Sequence, residues 1–286
     1  EYGVDLIQDN AGIGDERWTV MEQVFQAALD LNNNDIAQFC IKALKVQFPS
    51  SNRVQRLVGL QHEAKGEFSA AESLYKNMLA ETPTNTLVFK RLVACQVAQG
   101  KKAGAIRALN AYLNDFPADA VAWQQLGDLH CAVSNYEAAA FCYEELVLTQ
   151  PSNCLFHLRL AELYYTLGSV GSAPALEGVS GGGGGGSSAQ VQQLVLARKH
   201  FSRALELQRS NNPRALMGLA MACAALSGGK STKSTASSSS AASDADLNGA
   251  LHQMAAGELK KLYKKARPEV AAAASAVLDG QSKIMK

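Results

Sequence analysis

The chain has 286 residues, of which 47% are hydrophobic, and it carries 27 Lys and Arg residues against 26 Asp and Glu. The apolar content excludes an intrinsically disordered protein, and the net charge of +1 excludes a general electrostatic attraction to nucleic acid. Six scattered cysteines without a C-x-x-C pair argue against a zinc ribbon or a disulfide framework and favour a reducing compartment.

A regular repeat is the main feature of the first half of the chain. Four prolines recur at one constant interval, at Pro49, Pro83, Pro117 and Pro151. An alanine precedes each proline by twelve residues: Ala37, Ala71, Ala105 and Ala139. Large side chains follow each alanine by four and seven residues, which places all three on one face of a helix.

Capping residues mark the ends of these helices. Two residues after each proline comes a side chain that can cap a helix N-terminus: Ser51, Asn85, Asp119 and Asn153. The helices that open there are predicted to end near residues that tolerate a left-handed conformation: Asn32, Gly66, Gly100, Ser134 and Gly168. The pattern predicts two helices in each interval.

The consensus inside each interval resembles the tetratricopeptide repeat, whose length of about 34 residues it also shares. It has W-x-x-L-G at Trp123 to Gly127 and A-x-x-x-Y at Ala139 to Tyr143. We predict an all-α tetratricopeptide-repeat solenoid, a right-handed superhelix of antiparallel helix pairs with a concave groove. The predicted structural core of the repeats comprises Ala37, Ala71, Ala105, Trp123, Gly127, Ala139, Tyr143, Ala197, Phe201, Pro49, Pro83, Pro117 and Pro151.

Two polar tracts interrupt this repeat. The repeat alanine that should follow Ala139 is expected at position 173, but the matching residue is Ala197, which indicates a flexible insertion within one repeat. The glycine run in this insertion lacks the lysine of a phosphate-binding loop and follows no predicted strand. The predicted layout is a lead-in at 1–17, repeats at 18–51, 52–85, 86–119, 120–153 and 154–211 with the insertion at 169–192, the first helix of a last pair at 212–226, a disordered loop at 227–246 and closing helices at 247–286.

Nothing in the sequence predicts a catalytic, cofactor-binding or metal site. Cys154 and His157 share a helix face, but two ligands do not make a closed metal site, so packing is the simpler interpretation. No apolar run approaches the roughly 20 residues that a membrane-spanning helix needs. We therefore expect a non-catalytic binding protein without a membrane span.

Charged residues at groove-facing positions are the candidate partner-binding residues. These positions hold Arg53, Arg56, Lys90 and Arg91 in two repeats, and Asp128 and Glu162 in the next two. A groove that passes from basic to acidic suits a partner segment of the opposite polarity, although ordinary solubilising charges explain the pattern equally well.

A cluster of basic residues near the C-terminus is a second candidate surface. It consists of Lys260, Lys261, Lys264, Lys265 and Arg267. Such a cluster suits contact with an anionic membrane surface, and a solvated helix face is the alternative.

Beyond the generic repeat, several segments resemble the family of subunit 2 of the endoplasmic reticulum membrane protein complex. They include "AAFCYEELVLTQP" and "ARKHFSRALELQRSNNPRALMGL", and the resemblance extends from about Arg17 to Leu226. It implies a scaffold on the cytosolic face of the endoplasmic reticulum. Its partners would be membrane-embedded insertase subunits three and five and a soluble subunit, eight or nine, in an assembly that inserts tail-anchored and multi-pass proteins.

A peptide-binding tetratricopeptide co-chaperone is the alternative function. Its carboxylate clamp needs asparagine at position nine of a first helix, where this chain has Gln26, Leu60, Ala94, Asp128 and Glu162. The absence of that asparagine makes the clamp a weaker interpretation.

The register also predicts that Trp123 is a large buried side chain, so that Trp123→Ala costs roughly 3 to 5 kcal/mol.

Overall fold

The computed structural model describes residues 14–170, 186–209, 211–228, 238–264 and 268–284. These residues form thirteen helices and no strand, which confirms the predicted all-α fold class. The chain divides into two compact units, one ending at Asp115 and the other beginning at Phe116.

The first unit contains six described helices of 13 to 15 residues. They are α1 (Glu16–Asp30), α2 (Asn34–Gln47), α3 (Asn52–Ala64), α4 (Phe68–Glu81), α5 (Thr86–Ala98) and α6 (Lys102–Asp115). The second unit contains α7 (Ala120–Ala132), α8 (Tyr136–Thr149), α9 (Cys154–Val170), α10 (Gly186–Leu207), α11 (Pro213–Gly228), α12 (Ser238–Tyr263) and α13 (Pro268–Ile284).

The helix ends follow most of the capping pattern. Asn85, Asp119 and Asn153 each accept backbone N–H bonds from the first turn of the next helix, whereas Ser51 makes no such side-chain bond. Positive φ angles occur at four of the predicted end residues: Asn32, Gly66, Gly100 and Ser134. Gly168 is different because α9 continues through it to Val170. The helix therefore ends near Gly168, as predicted, but Gly168 does not adopt the left-handed conformation.

Close approach between the helices of a pair depends on small residues that face aromatic rings. The alanines at 37, 71, 105, 139 and 197 are fully buried. A Cβ at Gly59 would lie 2.3 Å from Cε1 of Tyr75, and one at Gly127 would lie 2.9 Å from Cε2 of Tyr143. Both tyrosines are buried. Because these glycines have no Cβ, the tyrosine rings can pack directly against the helix backbone.

Trp123 and His157 make the same contact in successive repeats. The indole Nε1–H of Trp123 donates to the carbonyl oxygen of Pro117 at 2.8 Å, and Nε2 of His157 lies 3.0 Å from the carbonyl oxygen of Pro151. Each side chain ties the start of a first helix to the turn before it. Trp123 is only partly buried, which corrects the prediction of a buried tryptophan.

The four prolines follow helices, as the repeat pattern indicates, but they are not buried in the repeat core as predicted. Pro49, Pro83, Pro117 and Pro151 are all exposed and follow the last residue of a helix by two. Because proline cannot donate the hydrogen bond that continues a helix, these residues end helices and do not fill the core.

Helical structure extends into both predicted polar tracts. The helix α10 begins at Gly186, inside the predicted insertion, and α12 begins at Ser238, inside the tract predicted as disordered. Ala241, Ala242 and Ala245 favour helix in the second tract, whereas the first tract contributes only Ala189. The remaining residues of the tracts, 171–185 and 229–237, lie outside the described residues.

A carboxylate in the first unit joins α4 to the next helix. Glu72 is buried and accepts hydrogen bonds from Lys76, Gln96, Gln99 and Lys101, at N–O distances of 2.9 to 3.4 Å. The hydrogen bond from Lys76, with those from its other partners, lowers the pKa of Glu72 to about 2 against the opposing effect of burial. The carboxylate is therefore ionised in the folded unit down to strongly acidic pH.

An imidazole pair, with His157 buried and His200 half-buried, joins α9 to α10. Nδ1 of His157 lies 3.0 Å from Nδ1 of His200, and the two rings are stacked. The carbonyl oxygen of Pro151 only accepts, so Nε2 of His157 carries its proton, and His200 donates Nδ1–H to His157 when both rings are neutral. Burial, with the neighbouring His157 and Lys199, lowers the pKa of His200 to about 4.

This pair predicts a loss of stability in mild acid. An unfolded histidine takes up a proton near its ordinary pKa of 6.5, whereas folded His200 resists protonation down to about pH 4. The stabilisation is complete above pH 6.5 and declines as the pH falls toward 4. Thermal unfolding across this range measures it, and His200→Leu should flatten the dependence. An unchanged slope in that variant would contradict the assignment.

Candidate partner-binding surfaces

A half-buried carboxylate in the first unit connects three successive helices. The hydroxyl of Tyr75 on α4 donates to Oε1 of Glu63 on α3 at 2.6 Å. Arg91 on α5 reaches the same carboxylate with Nε, at 3.0 Å from Oε1, and with Nη2 on Oε2. Burial and the Glu63 carboxylate both raise the pKa of Tyr75. Arg91, a predicted groove residue, is thus held within its own unit.

The second unit contains part of the same arrangement two repeats further along the chain. The hydroxyl of Tyr143 on α8 donates to Oδ1 of Asp128 on α7 at 2.7 Å. Arg159 lies at the repeat position of Arg91, and its Nη1 is 3.4 Å from Oε2 of Glu162. Burial and Asp128 raise the pKa of Tyr143. Asp128 therefore has a partner on the adjacent helix.

Glu162 is the most fully engaged of the predicted acidic residues. Arg214 on α11 contacts both of its carboxylate oxygens, with Nη2 at 2.8 Å from Oε2 and Nε on Oε1. Its i−3 neighbour Arg159 also contacts it. A partner cation would have to displace these arginines, so Glu162 contributes to holding α9 against α11.

The remaining predicted residues border an open cleft. Arg53, Arg56, Asn52, Asn85 and Leu87 line a cleft of about 370 Å³ between the starts of α3 and α5. Nη2 of Arg53 pairs with Oε2 of Glu22 at 2.7 Å, although the Arg53 side chain is still 60% exposed.

Arg56 and Lys90 complete the predicted basic set. Arg56 forms no hydrogen bond or ion pair with the residues that the structure describes. Lys90 is half-buried and interacts with its surroundings. Arg56, half-buried at the cleft wall, is therefore the cation of the set that is best placed to meet an outside anion.

The basic C-terminal cluster is partly neutralised. Nζ of Lys260 lies 2.9 Å from Oδ1 of Asp279, and Nζ of Lys261 lies 2.7 Å from Oε1 of Glu258. Lys264 is exposed, while Lys265 and Arg267 lie outside the described residues. The ion pairs reduce the charge that this cluster offers to a membrane.

Packing accounts for the side chains that raised the question of a metal. Sγ of Cys154 lies 2.9 Å from Oε1 of Gln208, and His157 contacts Pro151 and His200. No group of three or more potential metal ligands occurs among the described residues. Within those same ranges, no helix is both long and apolar enough to cross a membrane.

Sequence reasoning missed the residues that neutralise the predicted charges: Glu22, Glu63 and Arg214. It also missed Asn85 and Leu87 as walls of the cleft. One signal was present, because Tyr75 with Arg91 and Tyr143 with Arg159 recur at the same repeat positions. A tyrosine and an arginine at such fixed positions indicate acidic partners nearby, one shared carboxylate for Tyr75 and Arg91 and two separate ones for Tyr143 and Arg159.

Repeated helix pairs, charges tied between neighbouring helices and an open cleft define a tetratricopeptide-repeat scaffold. A family model described as "EMC2 TPR-like repeat domain" matches residues 36–172. ER membrane protein complex subunit 2 from Xenopus tropicalis is 41% identical over 220 residues, which cover 77% of this chain and 67% of that protein. The chain belongs to the family of ER membrane protein complex subunit 2.

More distant similarities agree with this assignment. ER membrane protein complex subunit 2 from Dictyostelium discoideum is 33% identical over 171 residues, covering 59% of this chain and 53% of that protein. The crystal structure of the C-terminal part of a TPR repeat-containing protein from Cytophaga hutchinsonii matches with a TM-score of 0.60, covering 94% of this chain and 96% of that one. At 12% identity this last similarity shows the fold alone.

Proposed function

We propose that the chain is a non-catalytic scaffold subunit of the endoplasmic reticulum membrane protein complex, peripheral on the cytosolic face of the membrane. The observation that carries the proposal is the 41% identity to a named subunit 2 across most of the chain. The geometry supports it, because ion pairs between successive helices hold each unit in one arrangement. A preorganised surface loses less entropy on binding than a mobile one.

The proposed partners are membrane subunits three and five and a soluble subunit, eight or nine. A scaffold of this kind fixes several partners relative to one another, and their binding stabilises it by mass action. The proposed outcome of that assembly is insertion of tail-anchored and multi-pass proteins. Depleting the chain should then reduce insertion of a tail-anchored reporter, scored by glycosylation of a lumenal tag. Normal insertion after depletion would contradict this role.

The cleft beside Arg56 is the proposed contact for an acidic segment of one partner. Arg56 is half-buried and has no ionic partner among the described residues, and Leu87 is exposed beside it. The cleft therefore offers a cation and an apolar surface together. Charge complementarity of this kind orients a partner and excludes others.

Arg56→Glu should weaken recovery of one subunit by about tenfold or more, because it places a carboxylate against the partner's acid. Quantitative mass spectrometry of material purified on the tagged chain measures this. Arg107→Glu on α6 is the matched control, since Arg107 is exposed, makes no ion pair with the described residues and lies outside the cleft. Equal recovery of every subunit with both variants would contradict a role for the cleft.

A further inference from the structure

The helix α2 carries large apolar side chains on both of its faces. Ala37, Cys40, Ile41 and Leu44 are buried against the rest of the first unit. On the other side, Phe39 is 55% exposed and Val46 is 84% exposed. They lie seven residues apart, two helical turns along the same outer face. The other exposed residues of the helix, including Gln38, Lys42 and Lys45, are polar, so this apolar pair lies on the polar side of an amphipathic helix.

Two lysines flank this outer apolar pair. Lys42 and Lys45 are exposed, and neither makes an ion pair or hydrogen bond with the part of the chain that the structure describes. The acidic residue of α2, Asp35, lies in the first turn, at the end opposite to Lys45. The outer face is therefore apolar and cationic from Phe39 to the end of the helix.

We infer that this outer face of α2, formed by Phe39, Lys42, Lys45 and Val46, contacts the surface of an anionic phospholipid membrane. Lysines beside exposed aromatic and aliphatic side chains are the composition of a helix that lies in the headgroup layer. Each lysine near an anionic bilayer contributes about a fivefold increase in partitioning. The two apolar side chains would enter the boundary of the acyl chains. This contact goes beyond the proposed scaffold role, which needs only protein partners.

A second exposed apolar pair, at the same repeat positions on α8, has carboxylates beside it where α2 has a lysine. On α8, Phe141 and Leu148 lie three repeats after Phe39 and Val46 and are also exposed, at 53% and 75%. Glu144 there takes the position of Lys42, and Glu145 lies beside it. An apolar pair next to carboxylates suits a protein surface and is repelled by anionic lipid. The chain thus contains its own matched control.

The test is co-flotation of the full chain with vesicles of phosphatidylcholine, alone or with about one-third phosphatidylserine. We expect binding to the anionic vesicles that weakens as salt is raised. Lys42→Glu with Lys45→Glu should lower partitioning by about 20-fold or more, and Phe39→Ser with Val46→Ser by about tenfold. Phe141→Ser with Leu148→Ser should leave partitioning unchanged. Because the four α2 side chains are exposed, the α2 variants should unfold at the temperature of the parent chain. The α8 variant loses the edge contact of Phe141 with the Trp123 ring, so its folding is checked by the same measurement.

Three results would overturn the inference. In the first, the chain does not float with anionic vesicles. In the second, the chain floats but the α2 variants float equally well, which assigns the contact to another surface such as the C-terminal lysines. In the third, the α2 variants lose a protein subunit while vesicle binding is unaffected, which makes the face a protein interface. The first two results do not bear on whether the chain assembles with its proposed subunits, whereas the third would place one of those subunits on this face.

Discussion

Gly59→Ala should lower the free energy of unfolding of the first unit by about 2 to 3 kcal/mol. The new methyl carbon would lie 2.3 to 2.4 Å from three atoms of the Tyr75 side chain. The ring is fully buried and its hydroxyl is bonded to Glu63, so it cannot move aside without losing contacts on α3 and α4. Urea denaturation followed by circular dichroism measures the change.

Gly257→Ala is the control for this prediction. Gly257 lies within α12, and a Cβ there has no atom within 4 Å apart from its own helix neighbourhood. Alanine has the higher helix propensity, so this variant should gain about 0.5 to 1 kcal/mol. If the two alanine variants change stability in the same direction and by similar amounts, Gly59 is not required for the close approach of Tyr75.

Phe201→Ala should cost the second unit about 3 to 5 kcal/mol, and Trp123→Ala should cost less. Phe201 is 2% exposed and belongs to the main apolar cluster, whereas Trp123 is only partly buried at its edge. The alanine variant of Trp123 still loses the hydrogen bond to Pro117, but it leaves a smaller cavity. Thermal unfolding of the two variants under identical conditions shows which of them loses more stability.

A second variant separates packing from a general loss of folding. A Cβ at Gly218 would lie 2.3 Å from Cε1 of Phe201, so the glycine exists to admit that ring. Gly218→Ala should destabilise the parent chain, and Phe201→Leu should make part of the room that the methyl group needs. The double variant should therefore be more stable than the sum of the single changes. Simple additivity, or a larger loss for Trp123→Ala than for Phe201→Ala, would contradict this description of the core.

The repeat interval predicted most of the helix pairs because it is imposed by packing. A face made from a small residue and two large ones has to recur wherever one helix pair stacks on another. Asn32, Gly66, Gly100 and Ser134 adopt the left-handed conformation because each pair needs the same tight turn. Gly168 differs from them, because α9 continues for two residues beyond it and the glycine lies inside the helix, where it admits Leu194.

The ion pairs were not predictable from the interval alone. The position of a residue in the repeat predicts on which helix face its side chain lies. It does not predict which neighbouring residue a long side chain contacts. Arg91 reaches back 28 residues to Glu63, and Arg214 reaches back 52 residues to Glu162. Most of the charges expected to serve a partner are consequently used within the units. Arg56 differs because it makes no ion pair with the described residues.

Extraction of membranes with a mild detergent, followed by purification on the tagged chain, tests the scaffold role most directly. Absolute quantification of the purified proteins gives the ratio of each one to the chain. The scaffold account predicts several transmembrane proteins and at least one soluble protein in near-equal amounts with the chain. Recovery of the chain alone, or with soluble chaperones only, would contradict it.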